Sequence, residues 1–557
     1  MAGGGQPVNR MTAPHIYHHW HRLWPGLLAG LVLLMVGFGA VGAIVFRGGD
    51  LSAAAIFGDP YVLRVTRFTL MQATLSTLIS GLLGLLVARA LSRRAHWPGR
   101  GGLVIFMSLV LVIPTTVAAS GLLSVWGRSG WINEALQAAG LGGLGFSIYG
   151  LDGLLLGHVF FNAPLMARVF LQALDAIPDA HWRQASLLGM GQGALFRIIE
   201  WPAIRSVLPA ISAVVFLLCF TSFSLALMLG GGPAASTLEV VIYEAIRFDF
   251  DLSRAAVLSL WQLAICGGVL VLAARAPSLG GGRAGRRGVF GRPDARNTWL
   301  KLLDICTLLL FFALVGVPLI AVILEGVGPS LLALFGSEVF RQALMVSIGL
   351  GLTTAALVVA LALAIGQAWR TLMVPTRLGG RPRLTWLAAG LDLASAHFLA
   401  VPAIVFGTGI FLLLSPVADL FAIAPLVVLA ANVLAALPFA LRSIQGRMTA
   451  LAEAQDKQCA QLGIAGLTRF RLLEWPLMRR EISFAAALSA AMSVGDLGVI
   501  ALFGSDQFRT LPWLLFQKMN RYQSDEAASI ALVLLLLSLG IFLLLDKGLG
   551  GRHAARR

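Results

Sequence analysis

Two copies of one heptapeptide lie 274 residues apart in this chain. The first is Phe196-Arg197-Ile198-Ile199-Glu200-Trp201-Pro202, and the second is Phe470-Arg471-Leu472-Leu473-Glu474-Trp475-Pro476. A glycine stands thirteen residues before the proline of each copy, at Gly189 and at Gly463. We refer to the shared pattern as FRxxEWP. Repetition at a fixed spacing indicates an internal duplication, and this decides the fold before any local pattern does.

The same spacing holds well outside the heptapeptides, as Arg67 with Arg341 and Gly230 with Gly504 illustrate. The sequence therefore predicts two homologous halves in tandem. The expected segments are an N-terminal arm at 1–23, a first half at 24–277, a basic linker at 278–297, a second half at 298–546 and a basic tail at 547–557.

Composition places the chain in a membrane. Hydrophobic residues make up 58% of it and charged residues 12%, against about 25% charged in soluble domains, and the mean hydropathy is +0.84. The net charge of +16 suggests nucleic-acid binding at first sight, but the basic residues form short clusters between apolar segments, as the positive-inside rule expects. The four cysteines show no CxxC spacing, so we predict neither a disulfide nor a metal site, and no cofactor.

Twelve apolar segments are long enough to cross a bilayer, which takes ~20 residues. They predict an all-α polytopic membrane protein with six transmembrane helices per half. The segments are 24–46, 66–91, 102–126, 148–173, 207–229 and 254–274, then 298–323, 342–368, 386–414, 423–445, 481–503 and 527–546. Arginines concentrate after the even-numbered segments, which predicts that those loops and both termini are cytoplasmic.

Each FRxxEWP segment lies in the longest inward loop of its half, residues 176–206 or 450–480. Each loop has a helix-compatible run (178–188 or 452–462), then the glycine, then a second run that ends at the proline. Glycine permits a chain reversal, and proline fits the first turn of the following span. We therefore predict a compact helix–turn–helix in each loop. An amphipathic elbow lying in the lipid headgroups is the structural alternative.

The order of glycine, phenylalanine and proline resembles the cytoplasmic coupling loop of type I importer permeases in the ATP-binding-cassette (ABC) transporter superfamily. The usual Glu-Ala-Ala start of that loop is replaced here by Arg183-Gln184-Ala185 and by Lys457-Gln458-Cys459. The resemblance implies docking on a separate ATPase, one subunit per half, because the chain has no Gly-x-x-x-x-Gly-Lys-Ser/Thr run. The implied coupling residues are Arg183, Gln184, Ala185, Gly189, Phe196, Glu200 and Pro202, with Lys457, Gln458, Cys459, Gly463, Phe470, Glu474 and Pro476; the two phenylalanines are expected as apolar anchors.

Two further stretches narrow the resemblance: Leu229-Gly230-Gly231-Gly232-Pro233 and Gly495-Asp496-Leu497-Gly498-Val499-Ile500. With them, the chain resembles the fused permease of the bacterial thiamine and thiamine-pyrophosphate importer. The resemblance implies an inner-membrane subunit that is not an enzyme and has no catalytic residue. It moves its solute inward by alternating access, with an ATPase dimer and a periplasmic thiamine-binding protein as partners. It also implies that segments 237–254 and 510–526 help to form the docking surface for that binding protein.

Few polar residues lie within the spans, and four of them are candidates for the substrate path. Asp496 is an acid at membrane depth, where such groups usually face a bundle interior or a water-filled path; its counterpart in the first half is Ser222. Its charge suits a cationic thiazolium, but capping of a helix break is equally open. His158 and Asn162 share a helix face, so they either line the path or pack.

Three alternatives differ in class or in substrate. Fused ferric-iron importer permeases share the duplicated layout. An ion-driven secondary transporter also uses repeats, but it is expected to carry several intramembrane acids per half and to work without an ATPase. A membrane-embedded enzyme needs a clustered nucleophile, base or metal set, and no such spacing occurs in the sequence.

Overall fold

The computed structural model describes residues 20–48, 58–232, 235–274, 292–377, 385–396, 401–416, 419–420, 422–464 and 466–550. These residues form helices and connecting turns, with no strand among them, so the predicted all-α fold is confirmed. Most of the predicted arm, the linker up to residue 291 and the end of the tail lie outside the described residues.

The first half folds into α1 (Trp20–Gly48), α2 (Pro60–Arg93), α3 (Arg100–Val110), α4 (Thr115–Trp126), α5 (Trp131–Ala138), α6 (Leu151–Asp175), α7 (Asp179–Leu187), α8 (Gln192–Ala194), α9 (Trp201–Phe220), α10 (Phe223–Leu229), α11 (Leu238–Arg247) and α12 (Leu252–Ala274). The second half, after a 3-10 turn (Pro293–Arg296), folds into α13 (Thr298–Gly326), α14 (Pro329–Gly336), α15 (Glu338–Arg377), α16 (Thr385–Ala396), α17 (Ala403–Leu414), α18 (Ala424–Gln461), α19 (Gly466–Arg469), α20 (Trp475–Gly495), α21 (Gly498–Phe503), α22 (Leu511–Asn520) and α23 (Ser524–Gly550).

Ten helices in the described part of the chain are long and apolar enough to cross a membrane. The count rises to eleven if α3 and the helical stretch Thr115–Ala138, which are bent by 112° relative to each other, are taken together as one span. Pro114 stands at this bend, where proline disfavours helix in the residue before it. The predicted span 386–414 corresponds to α16 and α17, with residues 397–400 between them undescribed. The twelfth span therefore stays a prediction.

The fifth predicted span of each half is broken near its end. In the first half α9 gives way to α10 at Ser222, and in the second half α20 gives way to α21 at Asp496. These two residues occupy the same position of the repeat. Both halves therefore have the break at the same position of the repeat, although the residue at the break differs.

One boundary prediction is wrong. The run 452–462 is not a separate helix, because α18 continues unbroken from the fourth span into the loop. In the first half Pro178 separates α6 from α7, whereas the equivalent position of the second half holds Ala452. Alanine continues a helix that proline interrupts.

The first span of each half packs against the opposite half. Helix α1 contacts α15 and α17, and α13 contacts α2 and α4. Glycines allow the close approach: a Cβ on Gly409 would lie 2.4 Å from the Ala40 carbonyl oxygen, and one on Gly121 would lie 2.4 Å from the Pro318 carbonyl oxygen. Both glycines lie on the second part of the third span. The halves are therefore interlocked through equivalent contacts.

Candidate functional site

The two FRxxEWP loops have the same backbone design. Gly189 and Gly463 reverse the chain with φ of 59° and 64°, a region that favours glycine. The heptapeptides then form π-helical segments, Leu195–Glu200 and Phe470–Glu474, which run directly into α9 and α20. Single π-helical turns within helices occur frequently at functional sites. Because no flexible joint follows them, a displacement of either loop acts directly on the fifth span. We call the side of the bundle that carries both loops the loop face.

The glutamate of the first heptapeptide is a buried anchor. Glu200 is fully buried, and its Oε2 accepts a hydrogen bond of 2.6 Å from Nε of Arg89 on α2. Its other oxygen pairs with Arg292, from the end of the linker. A buried carboxylate needs such partners, since an unpaired ion in the interior is strongly destabilising. The first loop is thereby tied to the second span.

The glutamate of the second heptapeptide is anchored in the same way by different residues. Oε1 of Glu474 accepts from Nη1 of Arg370 at 2.8 Å and from Nε of Arg469 at 3.0 Å. Both arginines also bind Asp456, with Arg370 Nη2 at 2.9 Å from Asp456 Oδ1. Arg370 lies on α15, so this loop too is tied to the second span of its half. The glutamates were predicted as coupling residues, but their arginine partners were not.

The two phenylalanines of the heptapeptides pack against neighbouring side chains of the loops. Phe196 is half-buried; the Arg89 guanidinium lies 4.7 Å from the centroid of its ring, and Trp201 lies 6.0 Å away. The ring of Phe470 lies near that of Trp475 in the same tilted arrangement, with their centroids 6.2 Å apart. Neither ring projects as a free anchor.

Both loops expose apolar residues at equivalent positions, Leu188 and Ile198 in the first half and Leu462 and Leu472 in the second. Each is more than half exposed, and the two pairs are related by the same spacing of 274. Sequence reasoning missed them, although an apolar residue kept at the same loop position of both repeats was a usable signal.

The remaining predicted loop residues divide between surface and interior. Arg183, Gln184 and Gln458 are exposed, whereas Ala185 and Cys459 are buried. Ala185 packs with Trp182 and Leu195 in a small core beneath the first loop. Lys457 lies within α18, while Pro202 and Pro476 lie in the first turn of α9 and α20.

Asp496 caps the helix that follows the break in its span. Its Oδ1 accepts a hydrogen bond of 3.1 Å from the Gly498 amide. Like Ser222 it keeps partial exposure, although the eight residues after it are buried. A Cβ on the neighbouring Gly495 would lie 3.1 Å from Pro114. The break in the second half's fifth span thus lies against the bend in the first half's third span.

His158 and Asn162 are buried inside the first half and bond to neighbouring helices. His158 Nδ1 lies 2.9 Å from Ser76 Oγ, and Asn162 Nδ2 lies 3.2 Å from Cys219 Sγ. In the second half Asn432, the counterpart of His158, donates to Ser493 at 2.8 Å. These contacts between spans favour a packing role for both residues.

Two exposed aromatic residues precede the last span of each half, on the side of the bundle opposite the loop face. Phe250 and Tyr522 have φ of 53° and 57° and are the only non-glycine residues with positive φ in the described part of the chain. They are 76% and 91% exposed, and each stands just before the last helix of its half. A left-handed conformation costs a non-glycine residue ~1–2 kcal/mol. Most of the preceding α11 is buried, so the exposed part of segment 237–254 is this turn.

A duplicated, interlocked helical bundle with one anchored loop per half defines the class of two-repeat membrane permeases. No protein-family profile matches the chain. It is 40% identical over 535 residues to "Thiamine transport system permease protein ThiP" of Brucella abortus (strain 2308), covering 95% of this chain and 96% of that protein. The protein of the same name in Escherichia coli (strain K12) is 38% identical over 533 residues, covering 95% and 97%. The chain belongs to the family of thiamine transport system permease proteins.

A shorter similarity extends to a second solute. "Sulfate transport system permease protein CysW" of Synechococcus elongatus is 27% identical over 189 residues, which is 33% of this chain and 64% of that protein. The similarity of one part of the chain to a permease for another solute fits a common translocation unit.

Proposed function

We propose that this chain is the translocation subunit of an ATP-driven importer for thiamine and its phosphate esters. The observation that carries the proposal is the pair of anchored loops, one per half, in a chain whose relatives are thiamine permeases along nearly their whole length. Each loop joins the second span, through its buried glutamate, to the fifth span, through its π-helical segment. A force on the loops is therefore delivered to the bundle interior. The chain itself forms no covalent bond with the solute.

The partner on the loop face is an ATPase dimer, with one subunit on each loop. Leu188, Ile198, Leu462 and Leu472 offer each subunit an equivalent apolar contact, and buried apolar contacts are the usual core of an interface. ATP binding draws the loops together and opens the path outward, and hydrolysis releases them. The loop face is cytoplasmic, as its arginine-rich loops favour, and the membrane is the bacterial inner membrane.

The partner on the opposite side is a periplasmic thiamine-binding protein. Phe250 and Tyr522 support this assignment, because two exposed aromatic residues hold a strained backbone at the same place in both repeats. Aromatic side chains are enriched among residues that dominate binding energy.

Asp496 is the proposed contact for the positive thiazolium ring during passage. One of its oxygens caps α21, and the group stands where two interrupted spans from opposite halves meet. Interrupted helices are the usual location of solute sites in transporters. Ser222 at the equivalent break lacks a charge, so the path is asymmetric.

The test is uptake by a bacterial strain that lacks its own thiamine importer and receives this chain, its ATPase and its binding protein. Labelled thiamine, thiamine pyrophosphate and ferric iron are offered in parallel, and an ATPase-dead partner serves as the control. We expect accumulation of thiamine or its esters that stops with the dead ATPase. Accumulation of iron alone would show that the chain is a permease of a ferric-iron importer. Thiamine uptake with the dead ATPase would indicate a secondary transporter.

A further inference from the structure

The junction between the two halves inserts an arginine beneath the first loop. Arg292 is only 8% exposed and pairs with Glu200. Its Nε and Nη2 donate to the two oxygens of Asp294 at 3.0 and 2.8 Å, and its Nη1 donates to Ser92 Oγ at 3.1 Å. Its guanidinium also stacks on Trp182, 4.4 Å from the ring centroid. Apart from its near neighbour Asp294, its partners therefore lie at the base of the first loop or at the end of α2.

The second loop needs no such insertion. There the loop's own Arg469 holds the glutamate, with Asp456 as a second partner. The positions 274 residues earlier hold Leu195 and Trp182, which carry no charge. The first loop therefore lacks the arginine that completes the second, and Arg292 takes that place from outside the loop. Trp182 receives the guanidinium on its ring face, an arrangement favourable to arginine.

The inserted segment is fixed at its far end as well. Nη1 of Arg94 donates to the Ala295 carbonyl at 2.6 Å, and both Arg93 and Arg94 bind Asp304 at the start of α13. Helix α13 is the span that packs against the first half. A continuous chain of buried and part-buried contacts thus runs from the first loop through the junction to an interlocking span.

We propose that Arg292 is a positioning residue for the first coupling loop, so that this loop is completed only by the junction between the repeats. The inference deepens the proposed function and depends on it. It makes the two loops unequal: the buried glutamate of the first loop is held by the junction that leads to α13, whereas the arginines that hold Glu474 both lie in its own half. It also gives the covalent fusion of the halves a mechanical role.

The experiment measures thiamine uptake and ATP hydrolysis by the complete complex in proteoliposomes, for Arg292→Gln and Arg292→Lys. We expect both variants to assemble but to transport about tenfold less thiamine per ATP hydrolysed, in line with the effect of residues that carry coupling. Lysine is expected to fail because it offers neither a planar fork nor a stacking face. Arg341→Gln, which removes an exposed pairing with Glu338, is the charge-matched control and should keep the wild-type ratio.

A transplant separates positioning from general stability. Trp182→Asp with Leu195→Arg, added to Arg292→Gln, copies the arrangement of the second loop and should restore most of the transport per ATP. A purely structural role would lower uptake and hydrolysis together and leave their ratio unchanged, which would overturn the proposal. If the wild-type complex moves no thiamine, the proposed function itself is wrong.

Discussion

At the scale of single residues, Asp496 combines two roles that one substitution separates. Its carboxylate oxygen accepts the Gly498 amide hydrogen, and its charge is the proposed counterpart of the thiazolium. An asparagine side chain has an oxygen that accepts the same hydrogen bond, but it carries no charge. The cap would therefore survive a substitution that removes the electrostatic contribution.

We expect Asp496→Asn to lower thiamine uptake about tenfold or more, equivalent to about 1.4 kcal/mol of lost stabilisation. The amount of complex in the membrane should stay unchanged. Uptake assays with labelled thiamine, alongside Ser222→Ala at the equivalent uncharged break, provide the check. Normal uptake by the asparagine variant would leave Asp496 with its capping role alone.

Phe250 and Tyr522 allow a test in which binding weakens although the stability of the protein is kept or improved. Glycine adopts their left-handed conformation without steric cost, so Phe250→Gly and Tyr522→Gly should leave the thermal unfolding midpoint unchanged or raised. Binding of the thiamine-loaded binding protein, measured on immobilised complex, should weaken about tenfold for each. Trp299→Ala removes another exposed aromatic residue, close to the junction on the loop face, and should not alter that affinity. Unchanged affinity in both glycine variants would remove the docking assignment.

At the scale of the elements, the loop reversals depend on backbone conformation alone. Gly463 has φ of 64°, and a Cβ there would meet nothing within 4 Å. Steric crowding therefore does not exclude a side chain at residue 463, and only the backbone angle limits which residues fit. Proline cannot adopt the angle because its ring holds φ near −65°, whereas asparagine tolerates it.

We predict that Gly463→Pro abolishes uptake while the protein still inserts into the membrane, and that Gly463→Asn retains most of the activity. Membrane fractionation and uptake in the same cells give both readouts. Transport by the proline variant at the wild-type rate would argue against a coupling role for this loop.

The sequence predicted most elements because hydrophobic length and duplication are strong signals. The sequence does not identify the partners of Glu200 and Glu474. Arg89, Arg292 and Arg370 belong to basic clusters, and such clusters indicate only which side of the membrane a loop lies on. Only the fold shows that they turn inward. The long helix α18 was not predicted for a simpler reason. The prediction assumed that the second loop begins with a separate helix, as the first does, although Ala452 stands where the first half has Pro178.

At the scale of the whole molecule, the interlocked first spans hold the two halves together. A Cβ at either Gly121 or Gly409 would lie 2.4 Å from a backbone oxygen of the opposite half's first span. A side chain at either point must displace backbone rather than a flexible side chain. The equivalence of these contacts was not visible in the sequence, because the third spans are offset by 288 residues, Pro114 against Pro402, and not by 274.

Gly409→Ala should lower the free energy of unfolding by about 1–3 kcal/mol through overpacking. Gly349→Ala is the matched control, since a Cβ there meets nothing within 4 Å and alanine favours a helix. Thermal unfolding of the two purified variants in detergent compares them directly. Equal midpoints would show that the contact between α1 and α17 is looser than described.

The most direct test of the account is transport by the purified complex in proteoliposomes, with ATP on the loop face and thiamine-loaded binding protein on the other. We predict that labelled thiamine accumulates only when ATP, an active ATPase and the binding protein are all present, and that proton and sodium ionophores have no effect. Accumulation driven by an ion gradient without ATP, or none with the full set of components, would contradict it.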